Sequence, residues 1–185
     1  KAIASRVHSL TALLAAGLTR LGLKVVNATY FDTLTVEVPD AAVVHRTAEA
    51  AQINLRKLDA RHVGISLDEP TTVAEVERIL RVFAGGAELP FRLESLEPRP
   101  CALPERQSAY LTHPVFNRHH SETEMLRYLR QLESKDLSLC HSMIPLGSCT
   151  MKLNAAAEMF PVSWPEFARL HPFAPSEQTE GYRRM

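Results

Sequence analysis

The sequence predicts an α+β fold, a small sandwich of helices on a mostly antiparallel sheet. Three observations predict it. Apolar residues recur at helical spacing in three segments of residues 1–86, and they alternate with polar residues in the segments between. The resulting order is helix–strand–strand–helix–strand–strand–helix, which closes one core between a sheet and its helices. At 45% hydrophobic and 23% charged residues, the composition is that of a globular chain and not of a disordered one.

The first helix is predicted over 1–21. Ile3, Val7, Leu10, Leu14, Leu18 and Leu21 share a face, and Gly22 stops it. A short strand follows at 23–27. Over 33–38, Leu34, Val36 and Val38 face one side while Thr33, Thr35 and Glu37 face the other, so one face of the sheet is wetter. Asp40 is a good N-cap for a helix at 41–53 with an apolar stripe of Val43, Val44, Thr47, Ala48 and Ala51. Residues 55–58 and 62–67 read as a second strand pair. Thr72 and Glu75 then form a capping box. The helix behind it presents Val73, Val76, Ile79, Leu80 and Phe83 and ends at Gly85-Gly86.

Residues 87–120 change character. Pro90, Pro98, Pro100, Pro104 and Pro114 forbid long regular elements, so this stretch reads as a connector or wrapping arm. Ser121 with Glu124 is a second capping box. Its helix runs to about Asp136 with Met125, Leu126, Leu129 and Leu132 on its inner face. Ser163 with Glu166 is a third box, with Pro165 in the first turn of a short helix. The end at Arg183-Arg184-Met185 carries no stop signal and reads as cut. The predicted organisation is a small domain at 1–86, an arm at 87–120 and an incomplete further unit at 121–185.

Charge excludes some partners. The 21 basic and 21 acidic residues cancel without a long run of either sign, which gives no footprint for nucleic acid or an anionic membrane. No apolar run approaches membrane-spanning length. Cys101, Cys140 and Cys149 are odd in number and lack C-x-x-C spacing, which suits free thiols in a reducing compartment.

The stretch His141-Ser-Met-Ile-Pro-Leu-Gly-Ser-Cys-Thr-Met-Lys-Leu-Asn154 is where chemistry concentrates. Gly147 permits a close backbone approach. Ser148, Cys149 and Thr150 add small polar side chains between apolar anchors, and Lys152 adds a cation. Such a turn can converge amides and hydroxyls on a carboxylate or phosphate. The same residues also suit an ordinary buried turn.

Met143-Ile-Pro-Leu-Gly-Ser-Cys-Thr-Met-Lys-Leu-Asn154 resembles the signature of glycine dehydrogenase (decarboxylating), the P-protein of the glycine cleavage system. Further segments resemble the same family in the same order. They are Phe31-Asp-Thr-Leu34 with Gly64-Ile-Ser-Leu-Asp68, Leu111-Thr-His-Pro-Val-Phe-Asn-Arg-His-His-Ser-Glu-Thr-Glu124, and Trp164-Pro-Glu-Phe167 with His171-Pro-Phe173. The resemblance implies an internal piece of a longer polypeptide, spanning the end of its first half and the start of its second. It implies that 1–86 is similar to the C-terminal small domain of a fold-type-I pyridoxal-phosphate enzyme. It also implies pyridoxal 5'-phosphate as cofactor, glycine as substrate and the lipoylated H-protein as partner. The other half of the polypeptide and a homo-oligomer would complete the enzyme. The compartment would be bacterial cytoplasm, or the mitochondrial matrix in a eukaryote.

The resemblance assigns cofactor or substrate contacts to Gly147, Ser148, Cys149, Thr150, His119 and His120, with Lys152 as an anion contact or a surface lysine. Which of the two histidines serves stays open. In this family the Schiff-base lysine lies in a His-Lys motif further along, and no His-Lys pair occurs in this sequence. No catalytic residue is therefore expected in this chain, and the chain alone is expected to be inactive. His113, His119, His120 and His141 with Cys140 and Cys149 invite a metal, but no H-x-x-x-H or C-x-x-C pair is present, so no metal is predicted. The alternative function is a non-catalytic binding module whose arm wraps a partner.

Overall fold

A computed structural model describes residues 1–98, 106–135 and 156–185. The chain divides into two units, residues 1–105 and 106–185.

The first unit is α+β, as the periodicities predict. Its elements are α1 (Ala2–Arg20), β1 (Lys24–Val25), β2 (Thr33–Glu37), α2 (Ala41–Ala50), β3 (Arg56–Lys57), β4 (His62–Ser66) and α3 (Val73–Phe83). The sheet has the order β1-β2-β4-β3, and every pair is antiparallel. Leu34, Val36, Val38, Val63, Ile65 and Leu67 are buried, and they pack with Leu10, Leu14 and Leu18 of α1 and Val76 and Leu80 of α3. The other face is polar. Thr33 and Ser66 pair across β2 and β4 with their hydroxyls 2.9 Å apart. Glu37 meets Lys24 and Arg61, each at 3.1 Å. Those two cations, the lysine first, hold the Glu37 carboxyl below its ordinary range.

The helix ends follow the capping chemistry. Asp40 accepts from the Ala42 N–H at 2.8 Å. Thr72 and Glu75 form a full capping box. At the end of α1, Gly22 donates to the Thr19 carbonyl and Leu23 to the Leu18 carbonyl, the two bonds of a Schellman motif, with Gly22 at φ 81°. Gly85 closes α3 in the same way. Gln52 closes α2 with the same two bonds but sits at φ 58°. A residue with a Cβ is disfavoured there by roughly 1–2 kcal/mol, partly offset by the extra unfolded-state entropy of glycine. Gln52→Gly is therefore expected to stabilise the unit by about 0.5–1 kcal/mol. Urea unfolding should show a higher midpoint with the slope unchanged. An unchanged or lower midpoint contradicts this.

Several inward faces differ from the sequence reading. Ile3 is exposed, so the buried stripe of α1 starts at Val7. On α2, Val43 is exposed, whereas Ala41, His45 and Ala48 are buried. The Asp40 cap and the Ala41 N–H bond to the Ala60 carbonyl, at 2.9 Å, fix which side of α2 turns inward. Residues i, i+4 and i+7 from Ala41 then share that side. Val73 is exposed as the first residue of α3, and Val82 is buried in its place. After Gly86 the chain stays on this body: Leu93 is buried in a 3-10 turn, and Leu89, Phe91 and Leu96 pack against the core. By length and apolarity α1 alone among the described helices could cross a membrane, but its apolar side forms this core.

The second unit contains α4 (Glu122–Glu133), α5 (Ala156–Met159), α6 (Pro165–Ala168) and α7 (Glu180–Arg184). The Ser121–Glu124 capping box is present, but α4 ends at Glu133. The face read as buried is open: Met125, Leu126, Leu129 and Leu132 are each more than 40% exposed. Periodicity identifies a face and not its cover. The third box is absent. Ser163 Oγ donates to the Phe160 carbonyl at 2.8 Å, and Trp164 is the N-cap of α6, with Pro165 at its start. Phe167 stands between Trp164 and Tyr182, and the Tyr182 hydroxyl donates to the Phe167 carbonyl at 2.8 Å.

Candidate functional site

His119 and His120 are the designated site residues that fall within the described part of the chain. Gly147, Ser148, Cys149, Thr150 and Lys152 lie outside the described residues, as do Cys101, Cys140 and His141.

The histidine pair is delivered by a short rigid approach to α4. A 3-10 turn spans Pro114–Asn117, and His113 Nδ1 caps it by accepting from the Val115 N–H at 3.1 Å. Arg118 is extended. His119 then takes φ 62°, a left-handed conformation uncommon for a residue with a side chain. Ser121 starts the helix, its hydroxyl accepting from the Glu124 N–H at 3.2 Å. The turn at His119 brings its ring onto Tyr128, with centroids 4.3 Å apart and planes 9° from parallel. His119 is half-buried and His120 is exposed.

The two histidines therefore differ. His119 is held by the helix it precedes, a distinction the sequence left open. Tyr128 was missed. Its signal is helical spacing: Tyr128 is one turn beyond Glu124, the side chain that reaches back to the cap. Backbone strain of this kind, held by a ring contact, is a feature from which a functional role can be argued. The stack is testable. The His119 ring protons should resonate upfield of those of His120, and Tyr128→Leu should move them to ordinary positions. Equal shifts for both histidines in the unaltered chain would contradict the stack.

The motifs of the first unit prove to be neighbours. Phe31–Leu34 and Gly64–Asp68 lie side by side, with Thr33 opposite Ser66 and Leu34 opposite Ile65. The Asp32 carbonyl accepts from the Leu67 N–H at 3.0 Å. Thr71 Oγ1 donates to Asp68 at 2.7 Å, and the Arg6 guanidinium donates to the Glu69 and Thr71 carbonyls. The His8 ring stacks on Phe31 at 5.4 Å. These bonds tie α1 to one end of the sheet and explain the motif structurally.

A shallow cleft of about 750 Å³ runs along α1 in the first unit. Ala12, Ala15 and Ala16 line it, with Tyr30, Arg20 and Glu97 among its other lining residues. Among the described residues no group of three or more His, Cys, Asp or Glu side chains is placed to hold a metal.

Residues 1–83 match the family model described as glycine cleavage system P-protein. The match contains both strand motifs, and His119, His120 and the 143–154 loop lie beyond it.

Proposed function

We infer, from the match of residues 1–83 to the family model of the glycine cleavage system P-protein, that the chain is a segment of a pyridoxal-phosphate-dependent glycine decarboxylase. In this reading the enzyme releases carbon dioxide from glycine and passes the aminomethyl group to the lipoyl arm of the H-protein. The observation that carries it is the family match over residues 1–83, and the resemblance of the segments through His171-Pro-Phe173 supports it.

The described residues do not by themselves make a holder for pyridoxal phosphate. The His119 ring is taken up by Tyr128, and the His120 ring is exposed. Neither brings a phosphate-binding loop or a lysine with it. The cofactor, when bound, supplies the electron sink for the carbon–carbon bond that breaks. The proposed part of this chain is to bind and orient. Ser148 and Thr150 donate to a substrate carboxylate or a cofactor oxygen, Gly147 lets that group approach the backbone, and Cys149 packs beside it. Lys152 adds an anion contact. One of His119 and His120 contributes a contact from the entry of α4.

We take 1–86 as the small domain, 87–120 as a connector whose residues 89–96 pack on that domain, and 121–185 as the start of the second half. The open apolar face of α4 supports completion of that half by further protein, from the same polypeptide or a second subunit. The odd number of cysteines, without C-x-x-C spacing, supports a reducing compartment, which we take as a bacterial cytoplasm or a mitochondrial matrix.

The test is exchange of labelled bicarbonate into glycine by the polypeptide that carries this chain. Exchange is expected only with both pyridoxal phosphate and lipoylated H-protein present. No exchange by the folded polypeptide with both added would overturn the reading. Borohydride reduction of residues 1–185 alone with the cofactor should leave no stoichiometric label. A specific label on Lys152 would show the Schiff-base assignment to be wrong.

A further inference from the structure

His45 lies in the middle of the inner side of α2. It is 7% exposed, and its Nε2 has no hydrogen-bond partner. Buried polar atoms are nearly always partnered, so an orphan imidazole nitrogen inside a small domain stands out. The neutral ring tolerates this site, whereas a charged ring needs a counter-charge or water.

The surrounding charges offer little such relief. Glu49, one turn along α2, is shared with Lys57 of β3, whose Nζ is 3.8 Å from its Oε1. Arg78 of α3 donates to the Ala51 carbonyl at 2.8 Å, so the side packed on α2 brings a cation. Arg81 of α3 is held by Glu77 and Glu88. In the turn bonded to the start of α2, Asp59 pairs with His62 and Arg61 with Glu37. Burial first, and Lys57 second, lower the affinity of the His45 ring for a proton, with Glu49 acting in the opposite sense.

We propose that His45 makes α2, with the β3 edge beside it, an acid-sensitive segment that opens locally when the ring takes up a proton from solvent. The location favours local opening. α2 is ten residues long, and β3 is a two-residue edge strand. The central contacts of the unit run through α1, α3, β2 and β4. Segments with few buried apolar side chains open below the global unfolding free energy.

The sign follows from linkage. The opened segment binds the proton more tightly than the closed one, so closure is fully favoured above the ordinary histidine pKa and weakens as pH falls below it. One proton changes the opening constant by at most about tenfold per pH unit, beginning near about pH 6.5.

Hydrogen exchange on the full chain at pH 7.5, 6.5 and 5.5, corrected for intrinsic rates, tests this. Amides of α2 should show an opening constant that rises several-fold between pH 6.5 and 5.5, while those of α1 and α3 stay unchanged. His45→Leu should remove the rise. Because that variant can fail to fold, the His45 Cε1 proton should also be titrated in the unaltered chain, where it should protonate below the ordinary histidine range. A pH-independent α2, an equal rise in α1 and α3, or a His45 that protonates at the ordinary histidine pKa would each overturn the proposal.

Discussion

Leu80→Ala should cost the first unit about 3 kcal/mol, within the roughly 2–5 kcal/mol span of buried leucine truncations. Leu80 is fully buried on α3. It points at Gly17 of α1, where an added Cβ would lie 2.5 and 2.7 Å from the two δ-carbons of Leu80. The two helices therefore meet with a leucine seated against bare backbone. Removing that leucine leaves a hole that the glycine cannot fill. Against a typical domain stability of about 5–15 kcal/mol, a loss of this size is a large fraction of the whole.

The same geometry sets the reciprocal variant. Gly17→Ala gains about 1 kcal/mol of helix propensity but overpacks a filled site, at about 1–3 kcal/mol. Alone it should destabilise. In the Leu80→Ala background the clash is gone, and Gly17→Ala should recover about 1 kcal/mol. Denaturant unfolding of the four proteins gives the coupling directly. Additive effects would show that α1 and α3 do not meet through this pair.

The legible part of the fold was the part controlled by local chemistry. The alternation at 33–38 named the buried face of β2, and Asp40, Thr72 and Ser121 named three helix starts. Failures came where tertiary context decides. On α2 the stripe holds at Val44 and Ala48, but Val43 is exposed, and the cap and the Ala60 carbonyl turn Ala41 and His45 inward instead. The apolar stripe of α4 is real but uncovered among the described residues. Ser163 and Glu166 have the spacing of a capping box, but the preceding turn takes the serine hydroxyl. Of the candidate site, the histidine pair was legible as a helix entry. Its asymmetry was not, because it depends on the left-handed turn at His119 and on Tyr128, nine residues further along.

If the proposed function holds, Ser148→Ala with Thr150→Val in the polypeptide that carries this chain should lower glycine exchange on the order of a hundredfold or more, with little change in melting temperature. Two hydroxyls flank a thiol directly after Gly147, between apolar anchors at Ile144, Leu146, Met151 and Leu153. A hydrogen bond to a charged group is worth about 1.5–3 kcal/mol, so losing two accounts for a fall of that size. If the hydroxyls only satisfy backbone groups, their removal costs about 1 kcal/mol of stability each and spares the specific activity of what stays folded. Measuring the melting temperature and the bicarbonate–glycine exchange rate on one preparation separates the two cases. A large loss of exchange at nearly constant melting temperature is the predicted result. A lowered melting temperature with specific activity preserved would contradict a role for residues 147–150 in binding substrate or cofactor.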